Sequence, residues 1–449
     1  MASPTSPNPP IVTYLRMQAP SSPSTSSEVA PATPDHALHE RANATLSWMQ
    51  PGLIYPAPHQ CALSVFSIPG NLKRADFAAI VSAARRRIHD HYGSQHASVC
   101  IAFSFKIWTR FCADDGRRPP EALTFEQPKE GNPYESAVLA RTDSPLADSR
   151  GDAWMIVKAD TSDAVSGIAD FVVAALCERG VSRSDVYRVA MSTRTNPTMP
   201  KGGAGGRVLG GRFQENLRNP VAPVEILEHV LVGPEEPSST GGAVVFTQRF
   251  NLNWAEIHAK PTTEVESLIG RRAYTDELVP AFDARSHIRS AHAYDVQGNT
   301  IKLLRVGLPF GHNEPSDDGT PLLAAGGTAS RTDEAGTYFI GIARSAARIE
   351  RILQSQLGSA GPKGFIRDRL LGSGVARSDL GGFFYAPSVR ELGAEALTAD
   401  LALRCKLSFT DWRYFPGVDW SRLNRHYEKR SANTRTSAPN QWSPCPCVT

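Results

Sequence analysis

The chain has 449 residues, of which 48 are lysine or arginine, 45 are aspartate or glutamate and 41% are apolar. The near balance of charge argues against a dedicated nucleic-acid-binding protein, which would show a clustered basic face. No segment approaches the run of about 18 apolar residues that a membrane-spanning helix needs, and the N-terminal segment lacks the features of a secretory signal. The cysteines are scattered and form no disulfide framework, so we expect a cytoplasmic protein.

Composition and pattern divide the chain into five parts. We expect a disordered Ser/Pro-rich tail at 1–47, an N-terminal half at 48–196, a connecting loop at 197–240, a C-terminal half at 241–428 and a flexible tail at 429–449. The two tails hold too few large apolar residues to bury a core. Cys445 and Cys447 lie in the second tail, and their role stays open.

In the N-terminal half, strands alternate with amphipathic helices. The predicted elements are strands at Ala62–Ile68, Val99–Ser104 and Ala153–Lys158, a helix at Arg74–His91, and a helix in which Val165, Ile168, Val172 and Leu176 recur at helical spacing. The run Asp160–Asp163 offers side-chain oxygens that could cap the first turn of this second helix.

The C-terminal half repeats this order. The predicted elements are strands at Ala243–Arg249, Ile301–Leu304 and Gly336–Ile342, and helices at Thr262–Ile269 and Ala343–Leu357. Two consecutive units of similar order predict an α+β fold made of duplicated ferredoxin-like halves with mainly antiparallel sheets.

Several common catalytic motifs are absent from the sequence. The glycine-rich segment Lys201–Gly211 lacks the Gly-Lys-Ser/Thr ending of a nucleotide-binding loop, which favours an ordinary flexible loop. No HExxH or paired-cysteine spacing predicts a zinc site, and no Gly-x-Ser-x-Gly segment predicts a hydrolase of that type.

One cluster of motifs in the C-terminal half is more informative. His287 lies in Arg285–Arg289 (RSHIR), and Arg305 follows eighteen residues later in Leu304–Gly311 (LRVGLPFG). Together with Gly336–Ile340 (GTYFI), these segments resemble the dye-decolorizing peroxidases, a haem family with a duplicated ferredoxin-like, dimeric α+β barrel-like fold.

Shorter resemblances to that family occur in the same order along the chain. They are Gln50–Leu53 (QPGL), Ala102–Ser104 followed by Trp108, Gly151–Ile156 (GDAWMI) and Gly382–Pro387 (GFFYAP). The ordered resemblances therefore span about residues 50 to 387, and they are closest to the compact bacterial type.

The resemblance implies a haem b cofactor, with its iron, held mainly by the C-terminal half. His287 takes the place of the proximal iron ligand, with His292 as the fallback, and Arg305 takes the place of the distal arginine. Glu215, in Arg212–Pro220 (RFQENLRNP), takes the place of the catalytic aspartate of the family's distal motif. Glutamate keeps the carboxylate but adds a methylene, and peroxide chemistry is sensitive to such a displacement. Arg305 could instead pair with a haem propionate, and Glu215 could be a loop carboxylate that faces water.

Two further positions depart from the family pattern. Gly307 stands where the compact type has a distal asparagine. Gly372 stands near the position of the acidic residue that normally orients the proximal histidine. We therefore expect this carboxylate to be missing, His287 to be less basic, and peroxide activation to be slower or altered. Four aromatic residues are expected in the core or as electron relays: Trp254, Tyr274, Trp412 and Trp420.

These residues predict a haem-dependent peroxidase that reduces hydrogen peroxide and oxidises an organic donor of phenolic or dye-like type. One alternative is a specialised haem enzyme of the same fold that acts on a dedicated small molecule with little peroxidase turnover. Another is a haem-binding protein without catalysis. The expected partners are hydrogen peroxide and a small organic donor, with no nucleic acid and no membrane span. A homo-oligomer is compatible with the resemblance.

Overall fold

The structure is a computed structural model. It describes residues 41–42, 44–54, 60–94, 96–125, 151–183, 186–193, 207–208, 213–214, 219–220, 223–273, 275, 277–280, 283–295, 297–310, 313–315, 321–322, 336–357 and 368–394. Across these ranges no helix combines the length and the apolar character needed to cross a membrane.

The first repeat consists of four strands and the helices that connect them. In chain order its elements are β1 (Gln60–Phe66), α1 (Arg74–His91), β2 (Ala97–Ser104), α2 (Phe105–Asp114), β3 (Ala153–Ala159), α3 (Ser162–Cys177) and β4 (Val186–Thr193). The strands lie in the order β4–β1–β3–β2, and all neighbours pair antiparallel. This is the arrangement of a ferredoxin-like unit.

The second repeat has the same strand order. The connection carries β5 (Arg207–Val208), β6 (Phe213–Gln214) and α4 (Pro223–His229). The repeat itself comprises β7 (Ala243–Leu252), α5 (Trp254–Ala259), α6 (Thr262–Ile269), α7 (His287–Ser290), β8 (Leu304–Phe310), β9 (Asn313–Pro315), β10 (Pro321–Leu322), β11 (Gly336–Ala343), α8 (Ala346–Leu357), α9 (Arg369–Gly372), β12 (Ala376–Ala386) and α10 (Val389–Leu392). Its main strands lie in the order β12–β7–β11–β8, so the duplicated ferredoxin-like fold is confirmed.

The two repeats form one curved, eight-stranded antiparallel sheet. Strands β2 and β12 pair directly, with Phe103 opposite Tyr385, and the two edge strands β4 and β8 contact each other. Each junction brings the second strand of one repeat to the fourth strand of the other, so the sheet curves round into a barrel with approximate two-fold symmetry.

Alternating side chains on the strands build two separate cores. One face of the sheet is enclosed by the barrel and carries, among others, Leu63, Trp154, Val245 and Tyr338. The opposite face packs against α1, α2, α3 and α8 through a larger apolar cluster. Because both faces are covered, the strands read as nearly continuous apolar runs, as in β1, where Cys61–Phe66 are all buried.

Most predicted elements are confirmed. Helices α1 and α6 have the predicted ends, and the Thr161 side chain accepts a hydrogen bond from the backbone N–H of Ala164 (3.2 Å), which caps α3 as expected. The strand predicted at Ile301–Leu304 is wrong, because β8 begins at Leu304 and continues to Phe310. Pro309 obscures this strand, yet a proline is tolerated at a sheet edge.

The predicted domain limits stay a prediction. Residues 44–48, at the end of the predicted N-terminal tail, are helical. Most of the glycine-rich segment and the whole stretch from 395 onward, with both tail cysteines, lie outside the described residues.

A buried polar cluster joins β12 to α10. Glu391 is 4% exposed and accepts hydrogen bonds from Tyr385 Oη (2.7 Å) and Ser239 Oγ (3.1 Å). Burial raises the pKa of Glu391 to about 7, although both hydrogen bonds act in the opposite direction. The folded state therefore holds a proton on this carboxyl that the unfolded state releases at lower pH.

We expect this carboxyl to make stability depend on pH. Because its pKa is raised on folding, its contribution is complete below about pH 4.5 and is lost as the pH rises through about 7. Glu391→Gln should remove the dependence and be more stable than the native chain at pH 8 by up to about 3 kcal/mol, with little difference at pH 4.5. Urea unfolding at both pH values checks this, and an unchanged difference between them would contradict it.

Candidate active site

His287 is the first residue of the short helix α7 and has a buried partner on its ring. Ser286, which precedes the helix as its N-cap, is fully buried. The imidazole Nδ1 lies 2.8 Å from Oδ2 of Asp368, and the histidine side chain is 31% exposed whereas that of Asp368 is 0% exposed. This contact occupies Nδ1 and fixes the orientation of the ring.

Asp368 is held by several donors in addition to His287. Its Oδ2 accepts a hydrogen bond from Ser290 Oγ (2.7 Å), and its Oδ1 accepts from the backbone N–H of Leu370 (2.9 Å), where it caps α9. Burial alone would raise the pKa of Asp368, but attraction to His287 and these hydrogen bonds outweigh burial and lower it. The group is therefore a carboxylate that can only accept, so His287 donates from Nδ1.

The segments around His287 and Asp368 are also joined by other contacts. The backbone N–H of Arg369 donates to the carbonyl of Arg285 (2.9 Å), and the Arg369 guanidinium lies 3.4 Å from the Asp283 carboxylate. The backbone N–H of Asp368 donates to the carbonyl of Gln356 at the end of α8 (2.8 Å). Through Asp368, the histidine is therefore held in position relative to both α8 and α9.

The structure corrects one expectation about this region. The sequence predicted that the carboxylate orienting His287 would be missing, because Gly372 was aligned near its position. Asp368, four residues earlier, makes that contact instead. The expected loss of basicity at His287, and the slower or altered peroxide activation derived from it, therefore have no structural basis.

Arg305 lies on β8, and its backbone is bound by a side chain from the connecting segment. Asn219 Nδ2 donates to the Arg305 carbonyl (2.7 Å), and Asn219 Oδ1 accepts from the Arg305 N–H (2.9 Å). Leu304, Leu308 and Phe310 point into the barrel. By alternation, Arg305 and Gly307 point to the opposite face, where Arg305 is half-buried.

That opposite face of the second repeat is also the face that α8 covers. In register with Arg305 lie Gly341, Phe246 and Phe383, and in register with Gly307 lie Phe339, Gln248 and Gly381. Helix α8 packs on this side and holds the Asp368 backbone at its C-terminal end. His287 and Arg305 are therefore on the same side of the sheet.

Gln248 is a polar residue on this face that sequence reasoning missed. It is 3% exposed, and its Nε2 has no hydrogen-bond partner within the described part of the protein. Buried polar groups are nearly always paired, so an unpaired amide is typical of a surface that a bound group completes. Asp368 and Asn219 were also missed as partners, although both stand in segments that the family motifs mark.

Other predicted site residues are described only in part or not at all. Glu215, Tyr274, Trp412 and Trp420 lie outside the described residues, and the side chain of Trp254, at the start of α5, does as well. His292 is half-buried just beyond α7, and its backbone carbonyl accepts from Ser355 Oγ (3.4 Å). Gly307 lies within β8.

We expect Asp368→Asn to lower the free energy of unfolding by about 2 to 4 kcal/mol, because a buried charge-assisted network is broken while the side-chain shape is kept. The depressed pKa of Asp368 means that its stabilisation is present at neutral pH and is lost on acidification. Urea unfolding at pH 7 measures the change.

Asp283→Asn is the matched control. Asp283 also contacts Arg369, but it is exposed, and such pairs contribute less than about 1 kcal/mol. Equal small losses in both variants would show that the buried network contributes no more than a surface ion pair.

Comparisons with known proteins agree with this geometry. The family model for the C-terminal part of Dyp-type peroxidases matches residues 208–391. A dye-decolorizing peroxidase of Mycobacterium tuberculosis is 24% identical over 316 residues, which cover 70% of this chain and 80% of that protein. Another from Rhodococcus erythropolis is 30% identical over 143 residues, which cover 31% of this chain and 37% of that protein.

Solved structures share the fold. A dye-decolorizing peroxidase from Bacteroides thetaiotaomicron has a TM-score of 0.57 at 21% identity, covering 77% of this chain and 97% of its own. A DypB variant from Rhodococcus jostii in complex with haem has a TM-score of 0.56 at 21% identity, covering 76% of this chain and 96% of its own.

The matched segment contains His287, Arg305 and Asp368, and the strand order of both repeats agrees with the fold shared with these structures. The sequence motifs, the curated relatives and the fold point to the same group of proteins. Residues 208–391 of this chain match the Dyp-type peroxidase family model, and the chain is similar in sequence and fold to dye-decolorizing peroxidases.

Proposed function

We propose that this protein is a haem-dependent peroxidase that reduces hydrogen peroxide and oxidises an organic donor of phenolic or dye-like type. The observation that carries the proposal is the buried hydrogen bond between His287 and Asp368. A histidine that binds a metal nearly always donates a hydrogen bond from its second ring N–H to a carboxylate, a carbonyl or water. This bond fixes the orientation of the ring and raises the basicity of the nitrogen that binds the metal. The names of the relatives favour this function over the two alternatives.

The residues present fit a haem b cofactor. His287 would bind the iron through Nε2, because Nδ1 is engaged by Asp368. Within the described residues, no group of three or more His, Cys, Asp or Glu side chains could hold a metal ion by itself, whereas haem iron needs one protein ligand of this kind. The unpaired amide of Gln248 and the half-buried Arg305 lie on the face toward which the cofactor would be placed.

Haem, when bound, would supply the electrons that reduce peroxide, and the organic donor would replace them. The Glu215 carboxylate would take a proton from the inner oxygen of peroxide and return it to the outer oxygen. The Arg305 guanidinium would stabilise the negative charge that develops as the O–O bond breaks. Asn219 supports this pairing, because it lies four residues after Glu215 and is bound to the backbone of Arg305.

His287→Ala tests the cofactor assignment. We expect the haemin-reconstituted native protein to show a sharp Soret band that changes on one equivalent of hydrogen peroxide and recovers when a phenolic donor is added. His287→Ala should lose the band, whereas His292→Ala, the matched control, should keep it. A band that persists in His287→Ala and disappears in His292→Ala would reassign the iron ligand.

Glu215→Gln tests the proton transfer. Because a positioned general base typically contributes about 10²- to 10⁴-fold, we expect the second-order rate of reaction with peroxide to fall by about that factor. Glu215→Asp should retain most of the rate, since it restores the carboxylate common in the family. Stopped-flow mixing with peroxide measures both, and an unchanged rate in Glu215→Gln would remove Glu215 from the mechanism.

Self-association of the chain stays a prediction that sedimentation can test.

A further inference from the structure

Oδ2 of Asp368, the oxygen that holds the His287 ring, also accepts hydrogen bonds from two other side chains. Ser290 Oγ lies 2.7 Å from Oδ2, compared with 2.8 Å for His287 Nδ1. Gln356 Nε2, in the last turn of α8, lies 3.3 Å from the same oxygen. Three donors therefore converge on one oxygen that has two lone pairs, so they compete for its negative charge.

Ser290 reaches Asp368 because of its place on α7. It follows His287 by three positions, and residues three apart on a helix lie on the same face. The hydroxyl also lies 3.0 Å from the His287 carbonyl, but it has only one hydrogen to donate. An ionised carboxylate is the stronger acceptor and the contact with it is the shorter one, so this hydrogen is directed to Asp368. Ser290 is 2% exposed, and water is therefore kept from taking its place.

A second donor on Oδ2 weakens the attraction of this oxygen for the Nδ1 proton of His287. A hydrogen bond to a charged oxygen draws on its negative charge, and the Ser290 hydroxyl is as close to Oδ2 as the imidazole is. The nearer the Nδ1 proton moves to Asp368, the more imidazolate character the ring acquires and the more it stabilises ferric over ferrous iron. Ser290 thus limits how far Asp368 raises the basicity of His287.

We propose that Ser290, assisted by Gln356, is a positioning residue that sets the reduction potential of the haem iron through Asp368. Both side chains take negative charge from Oδ2, which leaves the His287 ring closer to a neutral imidazole and the iron at a higher potential. A higher potential makes the iron a stronger oxidant of the organic donor. The inference rests on the proposed peroxidase function and on the proposed binding of iron by His287.

The midpoint potential of the haem-loaded full chain tests the inference. Ser290→Ala should shift the ferric–ferrous equilibrium towards the ferric form by about tenfold, the order expected for one hydrogen bond to a charged group, which is about 59 mV for a one-electron couple. Gln356→Leu should act in the same direction but less, because its contact is longer. Ser290→Thr keeps the hydroxyl and should restore the native potential. An unchanged potential in Ser290→Ala would overturn the inference.

Ser286→Ala is the matched control. Ser286 also adjoins His287 and is fully buried, but its Oγ has no hydrogen-bond partner within the described part of the chain. The potential of this variant should therefore equal that of the native protein. Equal shifts in Ser286→Ala and Ser290→Ala would attribute the effect to the loss of any buried hydroxyl near the histidine, and the role of the Ser290–Asp368 contact would be rejected.

Proton NMR of the haem-free full chain with ¹⁵N-labelled histidine measures the same competition without iron. When the Ser290 donor is lost, the hydrogen bond from His287 to Asp368 should strengthen. The Nδ1–H resonance of His287 should accordingly move downfield in Ser290→Ala and stay in place in Ser286→Ala. A resonance that stays in place or moves upfield in Ser290→Ala would contradict the competition for Oδ2.

The two measurements separate this inference from the proposed function. If His287→Ala keeps the Soret band, the proposed ligation and the effect of Ser290 on the iron fail together, and the NMR resonance still decides whether Ser290 and His287 compete for Asp368. If haem binding depends on His287 but Ser290→Ala changes neither the potential nor the resonance, the ligation stands and the role of Ser290 is rejected.

Discussion

The carboxylate of Asp368 organises three segments that are far apart in sequence. It accepts from His287 and Ser290 of α7, it caps α9, and its backbone is bound to the last turn of α8. A buried carboxylate is stable only when such donors offset the loss of its hydration. The need to satisfy this one charge therefore fixes the position of the histidine and the orientation of its ring.

The barrel supplies the other half of the site. Because each repeat contributes the same strand order, β2 pairs with β12, and the sheet curves until its two edge strands β4 and β8 contact each other. Side chains alternate along β8, with Leu304, Leu308 and Phe310 facing inward, so Arg305 lies on the helix-covered side. Arg305 therefore lies on a strand and His287 on a short helix, and such regular elements suit chemistry that depends on accurate positioning.

Local patterns predicted much of the fold, and contacts between distant segments limited the rest. Helix α1 was predicted from end to end because Phe77, Ile80 and Val81 recur at helical spacing and are all buried. Strand β8 was misplaced because its glycine and proline hide the alternation. Asp368 was missed because its partner lies 81 positions away in the sequence, and spacing within a motif carries no information about such a contact. His287 and Arg305 were found only through the family resemblance.

The side chain of Asn219 has a consequence for how this protein meets other copies of itself. Its amide satisfies both the N–H and the C=O of Arg305, which lies on the outermost hydrogen-bonded strand of the sheet. Exposed strand edges are the places where chains most readily pair with one another and aggregate. The Asn219 side chain thus occupies the two backbone groups of Arg305 that a strand of another chain would need for pairing. It does so at the point where the arginine must remain in place.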